Sequence, residues 1–268
     1  MNTPRILIFD SGVGGLSIAG ILRQTMPGAE QIYLADTACF PYGALSEMQV
    51  NERCTSLIAR AQALVNADLI VVACNTASTV VLPELRQEVQ IPVVGVVPAI
   101  KPAAEMSVSR RIGILATPAT VQRRYTDELI QQFAADCQVN RGGNPDLVRW
   151  AEEKVSGKAV PMDLLEEVLT PLLEVDVDTV VLGCTHYPLI KAELQNLMPD
   201  VRFWVDSGEA IARRVRHLLV EAGFTQASLE SAGSNPVTAY LSGAAPDGLA
   251  AFMQERGLEV GRVYSPWP

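Results

Sequence analysis

Two rhythms of apolar residues alternate along the chain. Residues 6–9, 31–34, 69–73, 92–96, 111–115 and 179–182 form short runs rich in Ile, Val and Leu. Runs of this kind, apolar at nearly every position, are what strands buried on both faces require. Between them lie longer segments with helical spacing of apolar positions, at 17–25, 47–65, 78–88, 121–134 and 162–174. This βαβ alternation predicts parallel sheets flanked by helices. From about residue 208 the pattern predicts helix, loop, helix and a short end strand.

The two halves echo each other. In the first, one strand ends at Asp10-Ser11 and another at Cys74-Asn75-Thr76; in the second, the ends are Ala116-Thr117-Pro118 and Cys184-Thr185-His186. Two related α/β lobes account for the echo. The expected division is residues 1–95 plus 210–268 for the first lobe and 96–209 for the second. Ligands of parallel α/β sheets bind at the carboxyl ends of strands. All four polar strand ends would lie on that edge, with a cleft between the lobes bringing Cys74 and Cys184 together.

Composition narrows the function. The chain has 268 residues, of which 49% are hydrophobic and 19% charged, enough for a large core. Its formal net charge of -9 argues against sequence-independent nucleic-acid binding, which needs a basic surface. The longest apolar runs are too short to span a bilayer. The first residues run straight into a strand without a leader pattern, so residence in the cytoplasm is expected. The five cysteines, at 39, 54, 74, 137 and 184, form no Cys-x-x-Cys pair. An odd count of this kind fits a reducing compartment better than a disulfide framework.

Four strand-end motifs carry candidate chemistry. Cys74 follows a buried strand and precedes Asn75, Thr76 and Ser78, which suit a helix start. A helix N-terminus favours the thiolate, the reactive form of cysteine. One such cysteine is also what a buried structural residue looks like. The second motif, Gly183-Cys184-Thr185-His186-Tyr187-Pro188, repeats the arrangement and adds one of only two histidines. His186 can polarise the thiol or steady a carboxylate; His217, in a polar helix beside three arginines, reads as solvated. In the third, Asp10-Ser11-Gly12-Val13-Gly14-Gly15, a strand runs into a glycine-rich turn. Neither the dinucleotide nor the P-loop pattern is met. The turn is expected to receive an anionic group on its N–H groups, with Asp10 taking an ammonium or tuning Cys74. The fourth, Asp36 to Gly43, has loop composition.

Taken together, Asp10-Ser11-Gly12-x-Gly14-Gly15, Pro41-Tyr42-Gly43, Ala73-Cys74-Asn75-Thr76-Ala77 and Gly183-Cys184-Thr185-His186-Tyr187-Pro188 resemble, in order and spacing, the motifs of the glutamate racemases. The resemblance covers essentially the whole chain. It implies two similar α/β lobes with the active site between them, and interconversion of L- and D-glutamate without pyridoxal phosphate, metal or nucleotide, supplying D-glutamate for peptidoglycan. It implies Cys74 and Cys184 as the catalytic pair, and Asp10, Ser11, Tyr42, Gly43, Asn75, Thr76, Thr185 and His186 as substrate-site residues. Glu152, Asp36, Thr117 and Thr120 are implied as supporting residues. A homodimer is implied as well. Cys39, Phe40, Ala44 and Leu45 stand where the family often carries basic residues around Pro-Tyr-Gly.

The chemistry is consistent with the residue inventory. A racemase must remove a proton from one face of the α-carbon and deliver one to the other, which two flanking bases achieve around a fixed substrate. The chain's four lysines, at 101, 154, 158 and 191, lie outside the strand-end motifs, so no Schiff-base lysine is expected there. Two alternatives remain open at this level. One is a racemase of a related acid such as aspartate. The other is a two-lobed protein that binds a small anion without chemistry.

Overall fold

In a computed structural model, residues 3–232 and 235–267 are described. Two all-parallel sheets make up the fold. The first contains β1 (Arg5–Asp10), β2 (Glu30–Ala35), β3 (Leu69–Val72) and β4 (Val93–Gly95), and the second contains β5 (Arg111–Ala116), β6 (Gln138–Gly143), β7 (Thr179–Leu182) and β8 (Phe203–Val205). The chain then returns to the first sheet with β9 (Val237–Leu241) and β10 (Val260–Tyr264). The strand orders are β10-β9-β2-β1-β3-β4 and β6-β5-β7-β8. Every strand pairing is parallel.

The two orders contain the same unit. Reading β5 for β1, β6 for β2, β7 for β3 and β8 for β4 turns one into the other. In each sheet the topology reverses at the central strand, and a crevice opens at the carboxyl ends there. Cys74 follows β3 and Cys184 follows β7, so each thiol stands beside its own sheet's switch point. The central strands are sealed: Ile6 to Phe9, Leu69 to Val72, and Val180 and Val181 are 0% exposed. Such strands hold their carboxyl ends on a rigid platform. No helix among the described residues is long and apolar enough to cross a membrane.

The structure corrects several local expectations. The helix expected at 121–134 is two pieces, Pro118–Val121 and Arg124–Phe133. Thr117 caps the first piece through its side chain, accepting from the Thr120 N–H, and the chain turns again before Arg124. The helix expected from 78 starts at Asn75, with Cys74 as its N-cap. β6 carries the sequence Gln-Val-Asn-Arg-Gly-Gly and was not expected as a strand. It lies at the sheet's edge, with every residue but Gly142 exposed or half-buried, so its residues need not be apolar. β9 is an additional strand in the tail, paired between β2 and β10.

Candidate active site

A cavity of about 270 Å³ lies between the carboxyl ends of the two sheets, with both Cys74 and Cys184 in its wall. The first half of the chain adds Ser11, Asn75, Thr76 and the turn at Pro41 to Ala44; the second adds Thr117, Pro118, Pro145, Val148, Thr185 and His186. Hydrogen bonds cross between the lobes around it. The Thr76 and Thr117 hydroxyls are 3.2 Å apart. The Ser17 hydroxyl donates to the Thr185 carbonyl at 3.0 Å. On the outside, Arg123 pairs with Glu47.

The two thiols have different surroundings. Cys74 Sγ accepts from the Ala77 N–H at 3.5 Å and lies 3.7 Å from the Ser11 hydroxyl. Burial, then the negative charge of Asp10, push the Cys74 thiol up to about 12, against smaller opposing hydrogen bonds from Ala77 and Ser11. Cys74 is therefore a neutral thiol near pH 7. Cys184 Sγ lies 3.7 Å from His186 Nδ1, and the other ring nitrogen, Nε2, is 2.8 Å from Glu152 Oε1. Burial opposes charge on His186, but hydrogen bonds and attraction from Cys184 and Glu152 overcome it and raise its pKa well above the ordinary value. An imidazolium therefore donates to Cys184 on one side and to Glu152 on the other.

The glycine-rich turn does something other than expected. Its N–H groups are engaged by the protein's own carboxylates: Gly12 N–H donates to Asp10 Oδ1 at 2.8 Å, and Val13 N–H to Glu152 Oε1 at 2.6 Å. The glycines permit close approach of the other lobe. A Cβ on Gly12 would stand 2.0 Å from Glu152 Oε1, and one on Gly14 would stand 2.4 Å from His186 Nδ1. The turn thus seats the His186–Glu152 pair, and these two amides have no place left for a substrate carboxylate.

Asp10 is likewise behind the cavity wall rather than in it. It is 0% exposed, and the Thr185 hydroxyl donates to its Oδ2 at 3.0 Å. Burial raises its pKa, with partial opposition from His186 and the Gly12 and Thr185 hydrogen bonds. Asp10 was expected to take the substrate ammonium or to tune Cys74; here its second oxygen is turned to Thr185. Asp36 and Thr120 are also one layer back. Asp36 accepts from the Tyr42 hydroxyl at 2.7 Å, and the Thr120 and Thr117 hydroxyls are 2.9 Å apart. Ser11, Tyr42, Gly43, Asn75, Thr76, Thr185 and His186 all line the cavity, as does Thr117.

Pro145 and Val148 form an apolar stretch of wall that sequence reasoning did not mark. Nothing local distinguishes them from surface loop and helix residues; only the placement of helix Asp146–Val155 does so. Phe40, where a basic residue was noted as usual, stacks at a tilt against His186 with ring centres 5.6 Å apart.

These features define a class: a duplicated parallel α/β protein with one thiol per lobe facing a shared small-molecule cavity. Comparison with known proteins narrows it. The family model for Asp/Glu/hydantoin racemases matches residues 17–215. A glutamate racemase of Shewanella sp. (strain MR-7) is 48% identical over 259 residues, covering 96% of this chain and 95% of that one. The crystal structure of Escherichia coli glutamate racemase, in complex with L-glutamate and the activator UDP-MurNAc-Ala, superposes with a TM-score of 0.88 at 43% identity, covering 98% and 99% of the two chains. The glutamate racemase of Aquifex pyrophilus matches with a TM-score of 0.73 at 30% identity, covering 97% and 98%. The chain belongs to the Asp/Glu/hydantoin racemase family and, within it, to the glutamate racemases.

Proposed function

We propose that this protein interconverts L- and D-glutamate, with Cys74 and Cys184 exchanging the α-proton from opposite sides of the bound amino acid. The observation that carries this reading is the pair of thiols in the wall of one small cavity, each at the carboxyl end of its own sheet. One thiolate breaks the α-C–H bond, and the electron pair moves into the α-carboxylate. The other thiol then gives its proton to the opposite face of the carbon. Reversal swaps the two roles.

The cavity offers complementary groups to the substrate. Asn75 Oδ1 is buried without a protein partner and suits an ammonium. The Thr185 hydroxyl donates its hydrogen bond to Asp10, so its oxygen has a lone pair left for the same ammonium. The Asn75 and Thr76 amides open helix Asn75–Glu88 and lack intrahelical acceptors, as at any helix start, whereas the Ala77 amide is taken by Cys74. Those first two amides and the Ser11 hydroxyl suit a carboxylate, and stabilise the charge that grows on it in the transition state. His186, held cationic by Glu152, balances negative charge at Cys184 and keeps the sulfur oriented.

The choice of glutamate over aspartate follows the relatives named above. Supply of D-glutamate for peptidoglycan, a homodimeric state and residence in the cytoplasm belong to the same proposal. The decisive assay incubates the purified protein, without added cofactor, with each enantiomer of glutamate and of aspartate in D₂O. The expected result is conversion of both glutamate enantiomers with deuterium at the α-carbon of the product. Product that keeps its original α-hydrogen, or faster turnover of aspartate, would refute it.

A further inference from the structure

We propose that Arg53, which does not line the cavity, is a positioning residue for the reaction: through the buried Asp36 carboxylate it holds Tyr42 and its turn against the substrate. This rests on the reading of the cavity as the glutamate site.

Asp36 follows β2 and is 0% exposed. A carboxylate so placed keeps its charge only with a cation and a full set of donors. Arg53, from helix Glu47–Val65, supplies the cation as a fork, with Nε 3.0 Å from Asp36 Oδ2 and Nη2 2.5 Å from Oδ1. Tyr42 donates its hydroxyl proton to Oδ2 at 2.7 Å, and Ser242, just past β9, donates to Oδ1 at 2.5 Å. Burial works against the charge of Asp36, yet hydrogen bonds from Arg53, Ser242 and Tyr42 hold its carboxyl below the usual carboxylate range.

Four separate chain segments therefore meet on one carboxylate, and only Tyr42 among the four residues reaches the cavity. The Ser242 side of the knot is doubled: its Oγ accepts from the Ala38 N–H at 3.0 Å, and the Gly243 N–H donates to Thr37 Oγ1 at 2.9 Å. Among the described residues the Tyr42 side has no such second hydrogen bond to the β2 end. The turn closes on itself through Ala44 N–H to Pro41 O and Leu45 N–H to Tyr42 O, both 3.1 Å. The Tyr42 ring is buried against Phe9 and its hydroxyl also meets Cys54, so the Tyr42–Asp36 bond is the tie that fixes the turn to the end of β2, and the charge of Asp36 depends on Arg53. Removing the guanidinium favours a neutral Asp36, a weaker acceptor for Tyr42.

The test compares Arg53→Met, Arg53→Lys, Asp36→Asn and the double variant Arg53→Met/Asp36→Asn in the full-length protein. Arg53→Gln serves as a second neutral variant should the methionine form fail to fold. Two readouts are followed: kcat and KM for glutamate, and hydrogen exchange at the Ala44 and Leu45 amides, which needs no turnover. Loss of the fork should raise KM about fivefold or more while kcat falls less, because a displaced wall weakens substrate placement. The two amides should exchange faster, and lysine, a point charge without the fork, should restore KM in part. In the Asp36→Asn background the Arg53 change should add nothing further. An unchanged KM in a folded neutral variant, unchanged amide exchange, or an equal KM rise in the Asp36→Asn background would overturn the proposal. Absence of glutamate turnover in the wild-type protein would instead sink the assigned function, and the exchange rates would still decide whether Arg53 holds the turn.

Discussion

The two thiols occupy equivalent places in duplicated topology, yet the surroundings that serve them differ. Cys74 caps a helix of 14 residues and is served by a backbone amide and a serine hydroxyl. Cys184 is followed by a single 3₁₀ turn, Tyr187–Ile190, and is served by a histidine clamped to a glutamate. A helix terminus stabilises a nearby anion by fixed dipoles that do not titrate. An imidazole does so only while protonated. The duplication thus preserved the placement of sulfur but not the means of managing its charge. The lesson is that topology sets where the reacting atoms stand, while the loop after each strand sets the groups that surround them.

The largest expected effects test the pairing itself. Cys74→Ala and Cys184→Ala should each lower racemisation by about 10³-fold or more, within or above the range that one acid–base group supplies. Each single-thiol variant should still exchange the α-proton of one enantiomer with D₂O, and the two variants should favour opposite enantiomers. The same preference in both would show that the sulfurs share a face, and the comparison would fail. Circular dichroism with NMR of the α-position measures both outcomes.

A smaller effect separates the halves. Gly14→Ala places a methyl group on the His186 ring and should lower kcat/KM by about 10²-fold, the scale of a displaced acid–base partner. Gly20→Ala serves as a control, since its added Cβ meets nothing closer than 3.6 Å. Equal loss in both variants would mean that a general cost of an added methyl group in this segment, not His186 placement, is being read.

On the Cys74 side, Ser11→Ala removes one weak contact to sulfur and one donor to the cavity. A loss of about fivefold to tenfold in kcat/KM is expected, the scale of one or two modest hydrogen bonds. A loss as large as that of Gly14→Ala would erase the distinction drawn between the sides.

The smallest effect is on stability. His186 has a raised pKa in the folded protein, so its charged form stabilises the fold below the unfolded value near 6.5, and that contribution disappears as pH climbs through the folded pKa. Thermal unfolding of the wild type should therefore lose more stability from neutral to alkaline pH than His186→Asn does. Parallel curves for the two proteins would show that the histidine is neutral in the fold.

Much of this arrangement was legible from residue order. The period of the apolar runs is local and marked both sheets. The strand-end position of Asp10, Cys74, Thr117 and Cys184 follows from where those runs stop, because a chain leaving a buried strand must expose polar groups at its carboxyl end. The edge strand β6 escaped because an edge does not impose apolarity. Roles that depend on approach across long sequence separations escaped as well. Glu152 meets Val13 from 139 residues away, and Ser242 meets Asp36 from 206 away.

What the sequence alone determined is therefore the platform and its chemical inventory: parallel strands, two cysteines at their ends, and hydroxyl, amide and imidazole groups beside them. Tertiary structure decided which polar groups face the substrate and which stand behind those that do. It turned Asp10 and Asp36 away from the cavity and filled the glycine-rich turn with the other lobe's His186 and Glu152. The physical reason is that strand and helix formation depend on neighbours a few residues apart, whereas the direction of a buried carboxylate depends on donors that only packing of the two lobes brings within 3 Å or so.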